Sequence, residues 1–178
     1  MFTGLIESVG TVDSMCELPS GARVKIATEL AGELQLGDSI AVNGVCLTVT
    51  AADASGFDAD LSPETIRVTA LAMTKVGSKV NLERPLAATD GRLGGHFVQG
   101  HVDMVGELSA IREEIDFWWL SVTYPNEWSR YLIHKGSVAL DGISLTIAEL
   151  GSDQFGVQII PVTWAKTNLH TRSVGDRL

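Results

Sequence analysis

The sequence predicts an all-β protein made of two tandem copies of one module, and three observations indicate this. Short runs rich in β-branched and aromatic residues, bounded by Gly, Pro, Asn or Asp, recur along the chain. Helical patterns are sparse. Residues 98 positions apart match over long gapless windows. These patterns are compatible with either barrels or sandwiches.

The predicted strands are short and lie in both halves of the chain. They are Arg23 to Ala27, Ser39 to Val42, Val45 to Thr50, Trp118 to Tyr124 and Ser144 to Glu149. The best helix candidate is Asn126 to Ile133, where Asn126 can cap and Trp128 and Leu132 stand four residues apart.

The composition is typical of a globular protein and argues against several partners. The chain has 178 residues, of which 45% are hydrophobic and 20% charged, and its net charge is −9. This acidity argues against nucleic acid binding and favours a neutral or weakly charged small molecule. No uncharged apolar run is long enough to span a membrane, Met1 to Gly10 has no basic residue, and there are two cysteines. We therefore expect a cytoplasmic protein without a membrane span.

The internal repeat sets the domain organisation. Residues 37–50 align with 135–148, and residues 57–80 align with 155–178, both at an offset of 98. Residues 3–12 align with 99–108 at an offset of 96. The segment between Arg84 and Phe97 is rich in Gly and turn formers, as linkers are. The sequence thus predicts two units, residues 1–96 and 97–178.

Each copy carries a predicted two-residue hairpin. Asn43-Gly44 and Asp141-Gly142 favour the positive φ values of a type I′ turn. Counting outward pairs Ser39 with Thr48 and places the large apolar side chains on one face, the core face. The opposite face carries two rows of small polar side chains, Ser39, Cys46 and Thr48 in the first copy and Ser137, Ser144 and Thr146 in the second.

These two polar rows are the candidate functional features. Hydroxyls on an exposed strand are often merely solvated. Their retention at equivalent positions of both copies favours contact with a ligand. Cys46 is either an inert small residue or, given its predicted outward position, a reactive one.

The histidines suggest a second kind of site. His96, His101 and Asp103 raise a metal hypothesis, but residues five apart lie on opposite faces of a regular strand, so it is weakly supported. His101 could act as a general base or a hydrogen-bond donor. The glycine-rich residues 91–100 lack the lysine of a phosphate loop and favour tight turns instead.

Several motifs together resemble riboflavin synthase along essentially the whole chain. They are MFTGLIESVGTV, NGVCLTV, LSPETIR, GGHFVQGHVD and DGISLTI. The resemblance implies two six-stranded Greek-key barrels, each binding one 6,7-dimethyl-8-ribityllumazine. One lumazine donates a four-carbon unit to the other, giving riboflavin and 5-amino-6-(ribitylamino)uracil, with no cofactor or metal. It also implies a homotrimer, in which the first barrel of one subunit faces the second barrel of its neighbour.

The resemblance also implies ligand contacts at numbered positions. Those expected for the first barrel are Gly4, Leu5, Ile6, Cys46, Leu47, Thr48, Asp60, Leu61, Ser62, Pro63, Glu64 and Thr65. Those expected for the second barrel are Gly100, His101, Val102, Lys135, Ser144, Leu145, Thr146, Ile160, Pro161, Val162, Thr163, Trp164 and Ala165. The catalytic candidates are Phe2, Ser39, Cys46, His101, Asp141 and Ser144.

The chemistry of this reaction suits such residues. A base must remove a proton from an acidic ring methyl, which suits His101 or a hydroxyl. A nucleophile must add to the neighbouring ring carbon, which Cys46, Ser39, Ser144 or water could provide, and the other residues would hold two stacked rings in place. The rival hypotheses are a lumazine- or flavin-binding optical antenna and a purely structural β-protein.

Two departures from the family pattern are visible. The second copy stops at Leu178, the counterpart of Val80, so we expect the C-terminal closing strand of the second barrel to be missing. The family carries an acidic residue in that strand, followed by a helix that holds the trimer together. Val162 stands opposite Glu64, which changes the expected contacts of the second site.

Overall fold

The computed structural model describes residues 1–87 and 93–178, and strands dominate both parts. The strands are β1 (Ser8–Leu18), β2 (Gly21–Ala27), β3 (Ser39–Val42), β4 (Val45–Ala52), β5 (Gly56–Leu61), β6 (Lys79–Glu83), β7 (Glu107–Glu114), β8 (Phe117–Thr123), β9 (Ser137–Leu140), β10 (Ile143–Leu150) and β11 (Gln154–Ile159). Two short α-helices follow β5 and β11, α1 (Pro63–Val68) and α2 (Pro161–Lys166). Short 3₁₀ helices span Glu29–Glu33, Ala70–Met73, Asn126–Tyr131 and Asn168–Thr171.

The first half is a closed barrel with strand order β1-β2-β5-β4-β3-β6. β6 closes it by pairing with β1 on one side, through Ser8 and Leu82, and with β3 on the other, through Ala41 and Glu83. Alternate residues of every strand point inward and form one core, in which Ile26 and Ile40 are completely buried. The predicted all-β fold is confirmed.

The second half repeats the same strand order as the five-stranded sheet β7-β8-β11-β10-β9. Within the residues described, no strand links β9 back to β7 as β6 links β3 to β1. Gly175 and Asp176 pair with Leu108 of β7 through hydrogen bonds of 2.8 Å, and the backbone of Leu178 exchanges hydrogen bonds of 3.0 and 3.1 Å with Gly106. A cavity of about 400 Å³, lined in part by Val122, Leu140 and Phe155, opens at this side of the sheet. The two halves therefore share a fold but differ in closure.

Most strand predictions agree with the structure to within two residues, whereas the helix prediction does not. The segment predicted as a helix, Asn126 to Ile133, contains a six-residue 3₁₀ helix, Asn126–Tyr131, in place of an α-helix. Asn126 does not cap it, because Pro125 occupies the cap position and no side chain accepts a capping hydrogen bond. Trp128 and Leu132 nevertheless pack against the second core.

The predicted linker falls partly outside the described residues, since residues 88–92 of the segment between Arg84 and Phe97 are not among them. The same holds for the first two residues of the glycine-rich segment 91–100. In the described part of the chain, every helix is too short or too polar to cross a membrane.

Candidate functional sites

Both predicted hairpins form with the predicted register. Ser39 pairs with Thr48 in the first, and Ser137 pairs with Thr146 in the second. The turn residues Asn43 and Asp141 both have φ of 47°, and their glycines have φ of 78° and 79°. The prediction of two type I′ turns rested on this need for positive φ, and it is confirmed.

The polar rows lie on the face opposite the core, as predicted, but part of this face is covered. Ala41 and Cys46 pack against Phe2 and Val98 in a small third cluster. Cys46 is therefore half-buried, whereas Thr48 is exposed. The first row thus extends from this apolar cluster to the solvent.

This cluster forms because the two halves exchange their entry segments, which are residues 2–6 before β1 and residues 98–102 before β7. The backbone N–H of Ser144 donates to the carbonyl of Gly4 at 2.8 Å, and that of Cys46 donates to the carbonyl of Gly100 at 2.9 Å. Phe2 and Val98 pair with each other between these contacts, through backbone hydrogen bonds of 2.7 and 3.0 Å. Each segment therefore lies against the polar row of the other half.

This exchange places each entry segment beside the half other than the one in which its ligand contacts are expected. Gly4, Leu5 and Ile6 were assigned to the first barrel, yet Gly4 lies on Ser144 and Ile6 packs against the second core. Gly100, His101 and Val102 were assigned to the second, yet Gly100 lies on Cys46 and Val102 packs against the first core. Crossed segments keep their chain order while changing their neighbours, so chain order alone does not show which polar row each segment meets.

Glycine is required where the segments cross. A Cβ on Gly4 would lie 2.6 Å from the Cβ of Ser144, and one on Gly100 would lie 2.5 Å from the Cβ of Cys46. Both glycines also have positive φ, 77° and 86°. The two crossings thus have the same geometry, with Ser144 in one where Cys46 stands in the other.

Site I comprises three segments: Cys46 to Thr48, Gly100 to Val102 and Asp60 to Thr65. Val49 pairs with Ala59, so the start of β4 and the end of β5 lie side by side. Ser62 caps α1 by accepting a hydrogen bond from the backbone N–H of Thr65 at 3.1 Å. This capping fixes the start of α1 directly after β5, and α1 contacts β5 and β2.

Ion pairs line the rim of site I. Arg23 donates two hydrogen bonds to Asp60, at 2.6 and 2.9 Å, and this pairing holds the pKa of that carboxyl below its usual range. Arg67 pairs likewise with Glu64 at 2.6 Å on the exposed face of α1. Asp60 and Glu64 are thus ionised and already engaged by arginine.

Site II is the corresponding region of Ser144, Leu145 and Thr146 with Gly4 to Ile6, Lys135 and Ile160 to Ala165. Its rim is aromatic and aliphatic, since the rings of Trp164 and Trp118 stack with centroids 4.7 Å apart. Ile160 precedes α2 without a capping side chain, and Val162 is exposed. Lys135 has φ of 65°, which is strained for a residue other than glycine, and Gly37 stands at this position in the first half.

His96 is a member of site II that the sequence did not identify. Its Nδ1 lies 2.7 Å from the Oγ of Ser144, and its backbone N–H donates to the carbonyl of Thr3 at 3.0 Å. Burial lowers the pKa of His96, an effect that the charge of Glu83 opposes. Among the described residues, no three His, Cys, Asp or Glu side chains cluster as metal ligands would. His96 thus pairs with a serine hydroxyl, in a contact that chain spacing did not reveal.

The remaining catalytic candidates occupy different surroundings. Ser39 is half-buried and His101 is exposed. Phe2 is completely buried, so its ring cannot contact a ligand in this structure. The side chain of Asp141 is 2% exposed and lies in the junction between the halves.

The junction is a buried polar network around the two hairpin turns. Asp141 accepts hydrogen bonds from Arg172 at 2.5 Å and from the amide of Asn168 at 2.8 Å. The amide of Asn81 donates to the carbonyl of Asp141 at 2.9 Å, and its backbone N–H donates to the side-chain oxygen of Asn43 at 2.7 Å. The network therefore joins both turns to β6 and fixes one half against the other.

Two similar regions on tandem β-barrel modules define a duplicated β-barrel protein, and comparison with known families identifies its class as lumazine-binding. A family profile described as "Lumazine binding domain" matches residues 3–85 and 99–178. Solved structures of LumP with 6,7-dimethyl-8-(1'-D-ribityl) lumazine and with riboflavin superimpose with TM-scores of 0.90 and 0.92, each at 23% identity over 99% of this chain and 96% of that chain. At this identity the likeness concerns the fold.

Closer relatives define the family. The chain is 44% identical to riboflavin synthase from Actinobacillus pleuropneumoniae over 99% of its length and 82% of that protein. It is 41% identical to riboflavin synthase from Bacillus subtilis, over 100% of its length and 83% of the relative. The riboflavin synthase of Mycobacterium tuberculosis is 43% identical over 100% of this chain and 90% of its own. The chain belongs to the riboflavin synthase family.

Proposed function

We propose that this chain converts two molecules of 6,7-dimethyl-8-ribityllumazine into riboflavin and 5-amino-6-(ribitylamino)uracil, with one lumazine at site I and one at site II. The observation that carries this proposal is the pair of crossings, in which Cys46 and Ser144 occupy equivalent positions. A reaction between two identical substrates needs similar pockets with different residues, because one substrate must donate and the other accept.

The reacting groups are side chains at or beside the two sites, or a bound water. The nucleophile that adds to the ring carbon is Cys46, Ser39, Ser144 or a bound water. The base that takes the methyl proton is His101 or a hydroxyl, and among the hydroxyls Ser144 has His96 at 2.7 Å to receive the proton. The lowered pKa of His96 favours its neutral form, which can accept a proton.

Phe2 and Asp141 receive positional roles in this proposal. Phe2 packs against Cys46 and Val98, and so supports the crossing at Cys46. Asp141 lies in the turn two residues before Ile143 and is engaged by Arg172, so its carboxylate holds the junction and not a ligand. Both residues would then affect the reaction by fixing the distance between the two sites.

The alternative of an optical antenna is less well supported. An antenna needs the barrel fold but no reactive groups. The likeness to LumP is one of fold at 23% identity, whereas identity to the riboflavin synthases reaches 44%. The presence of Cys46, Ser144 and His101 together also favours the enzyme.

Assembly and location are proposed on the same basis. Leu5, Ile160 and Val162 belong to site II and are 50%, 47% and 52% exposed. Exposed apolar side chains around a site suit cover by another molecule, and a homotrimer would set site I of one subunit against site II of its neighbour. We also propose a cytoplasmic location and the division into residues 1–96 and 97–178.

The decisive experiment mixes the protein with 6,7-dimethyl-8-ribityllumazine and follows riboflavin by its fluorescence. We expect turnover, and we expect Cys46→Ala and Ser144→Ala each to lower it by about 100-fold or more, as loss of a positioned nucleophile or base does. Tight binding without turnover would favour the antenna. Negligible effects of both substitutions would remove Cys46 and Ser144 from the catalytic set.

A further inference from the structure

We propose that Glu83, at the end of β6 in the first half, is a positioning residue for site II in the second half. It would act through the exchanged segment Phe2 to Gly4, which it holds against Ser144 and His96. The inference rests on the proposed role of site II, and it adds a residue that belongs to neither polar row.

The carboxylate of Glu83 is buried and fully used by this segment. One oxygen accepts from the backbone N–H of Thr3 at 2.6 Å and from the hydroxyl of Thr3 at 2.7 Å. The other accepts from the backbone N–H of Gly4 at 2.9 Å. Glu83 is 4% exposed, so these three donors take the place of water. Two consecutive backbone groups of the segment are therefore fixed by one side chain of β6.

The other side of the same segment fixes site II. The carbonyl of Thr3 accepts from the backbone N–H of His96 at 3.0 Å, and the carbonyl of Gly4 accepts from that of Ser144 at 2.8 Å. The side chains of His96 and Ser144 then meet at 2.7 Å. Two residues of the segment thus receive hydrogen bonds from both members of this pair. A shift of the segment would change the distance between them.

Electrostatics point in the same direction. The charge of Glu83 raises the pKa of His96 and opposes the effect of burial on that ring. The carboxylate is thus close enough to act on site II directly as well as through the segment. β6 itself pairs with β1 and β3, both in the first barrel.

The crossing at Cys46 provides an internal control. The backbone N–H of Cys46 donates to Gly100 as that of Ser144 donates to Gly4. Glu83 makes no hydrogen bond to the segment that contains Gly100 in the described part of the chain. General destabilisation would loosen both crossings, whereas a positioning role predicts loosening of the Ser144 crossing.

The test is amide hydrogen exchange measured residue by residue by NMR in Glu83→Gln. Glutamine keeps the shape but turns one acceptor into a donor facing an N–H group. We expect the amides of Ser144 and His96 to exchange about 10- to 100-fold faster, with Cys46 within about 3-fold of wild type, since hydrogen bonds to charged groups are the stronger ones. Equal changes at Ser144 and Cys46, or no change at either, would overturn the proposal.

Two further variants complete the design. Glu33→Gln removes an exposed carboxylate that pairs with Arg84, the neighbour of Glu83, and should leave all three amides unchanged. Thr3→Val removes the hydroxyl's bond to Glu83 and the longer bond, 3.2 Å, that the hydroxyl accepts from the backbone N–H of Leu5, while keeping both backbone bonds to Glu83. It should speed exchange at Ser144 by roughly 5-fold. If Glu83→Gln fails to fold, Thr3→Val decides: an unchanged ratio of Ser144 to Cys46 exchange would contradict the role of Glu83.

Turnover is measured separately, so that the two proposals can fail independently. Glu83→Gln should lower kcat by roughly 10-fold or more while site I still binds lumazine, as misplacement of a reacting group does. Wild-type protein without riboflavin formation would refute the proposed function. The exchange ratio would still establish or refute the part played by Glu83.

Discussion

The two halves hold equivalent strands in place by different chemistry. In the first half Arg23 of β2 pairs with Asp60 of β5 across the strands. The equivalent pair in the second half is Trp119 of β8 and Gln158 of β11. A charged pair and an aromatic–amide pair can therefore be built at equivalent positions of one backbone.

The junction shows a second difference, in the placement of charge. The first turn carries neutral Asn43, and the second carries Asp141, whose counter-ion Arg172 corresponds to Thr74 of the first half. Burial raises the pKa of Asp141, and Arg172 opposes this shift. The second half thus contributes an ion pair and the amide of Asn168 to the junction, whereas the first half contributes the amides of Asn43 and Asn81.

The largest expected effect breaks this ion pair. Arg172→Gln leaves a buried carboxylate without its counter-ion, which typically costs about 3–5 kcal/mol of unfolding free energy. Thr74→Ala, the matched change in the first half, removes a hydrogen bond to the carbonyl of Leu71 and should cost about 1 kcal/mol. Urea denaturation of both variants measures the difference. Similar losses would mean that the junction does not depend on charge.

The stability loss in Arg172→Gln should depend on pH. The folded-state pKa of Asp141 lies above its unfolded value, so the folded state binds more protons, and this group's contribution to stability falls as the pH rises through that window. Removing Arg172 raises the folded pKa further. The deficit of Arg172→Gln should therefore shrink on acidification, and a deficit that grows at low pH would contradict the assignment.

The next effect tests the crossing of the entry segments. Gly4→Ala would place a Cβ 2.6 Å from the Cβ of Ser144, and Gly100→Ala would place one 2.5 Å from the Cβ of Cys46, both at positive φ. We expect each to cost about 2–4 kcal/mol, from backbone strain and overpacking together. NMR should show shifts around Ser144 in the first variant and around Cys46 in the second. The reverse pattern would restore the grouping by chain order.

Local features were predictable from the sequence because they depend on neighbouring residues. The turns of Asn43 and Asp141, the hairpin registers and the polar rows follow from positive φ and from strand alternation. The repeat likewise predicted two modules of equal strand order.

Contacts between distant segments were not predictable in this way. His96 and Ser144 are 48 positions apart, and Thr3 and Glu83 are 80 positions apart. Their hydrogen bonds exist because the entry segments cross, which periodicity along one strand does not reveal. The segment after Pro125 forms a 3₁₀ helix, and its N-cap is Pro125 where the sequence predicted Asn126.

A smaller effect concerns the helices that border the two sites. Ser62→Ala removes the cap of α1 and should cost about 1 kcal/mol. Ile160→Ser introduces the missing cap of α2 and should raise the unfolding free energy by about 0.5–1 kcal/mol. Thermal melts measure both changes. A loss of stability in Ile160→Ser would show that its apolar side chain is needed at the rim.

The smallest effect on stability is expected at Lys135, where the second half departs from a glycine. Lys135→Gly relieves about 1–2 kcal/mol of backbone strain but adds a chain-entropy cost of about 0.5–1 kcal/mol, so the two effects largely cancel and the free energy of unfolding should rise by about 0–1.5 kcal/mol. A strained lysine that contributes nothing to stability is best explained by ligand contact. Lumazine titration followed at the Ser144 amide should then show about 10-fold weaker binding, with Cys46 unaffected. Gly37→Lys should lower stability by about 1 kcal/mol without improving binding at site I, because lysine there would bear the strain without site II around it.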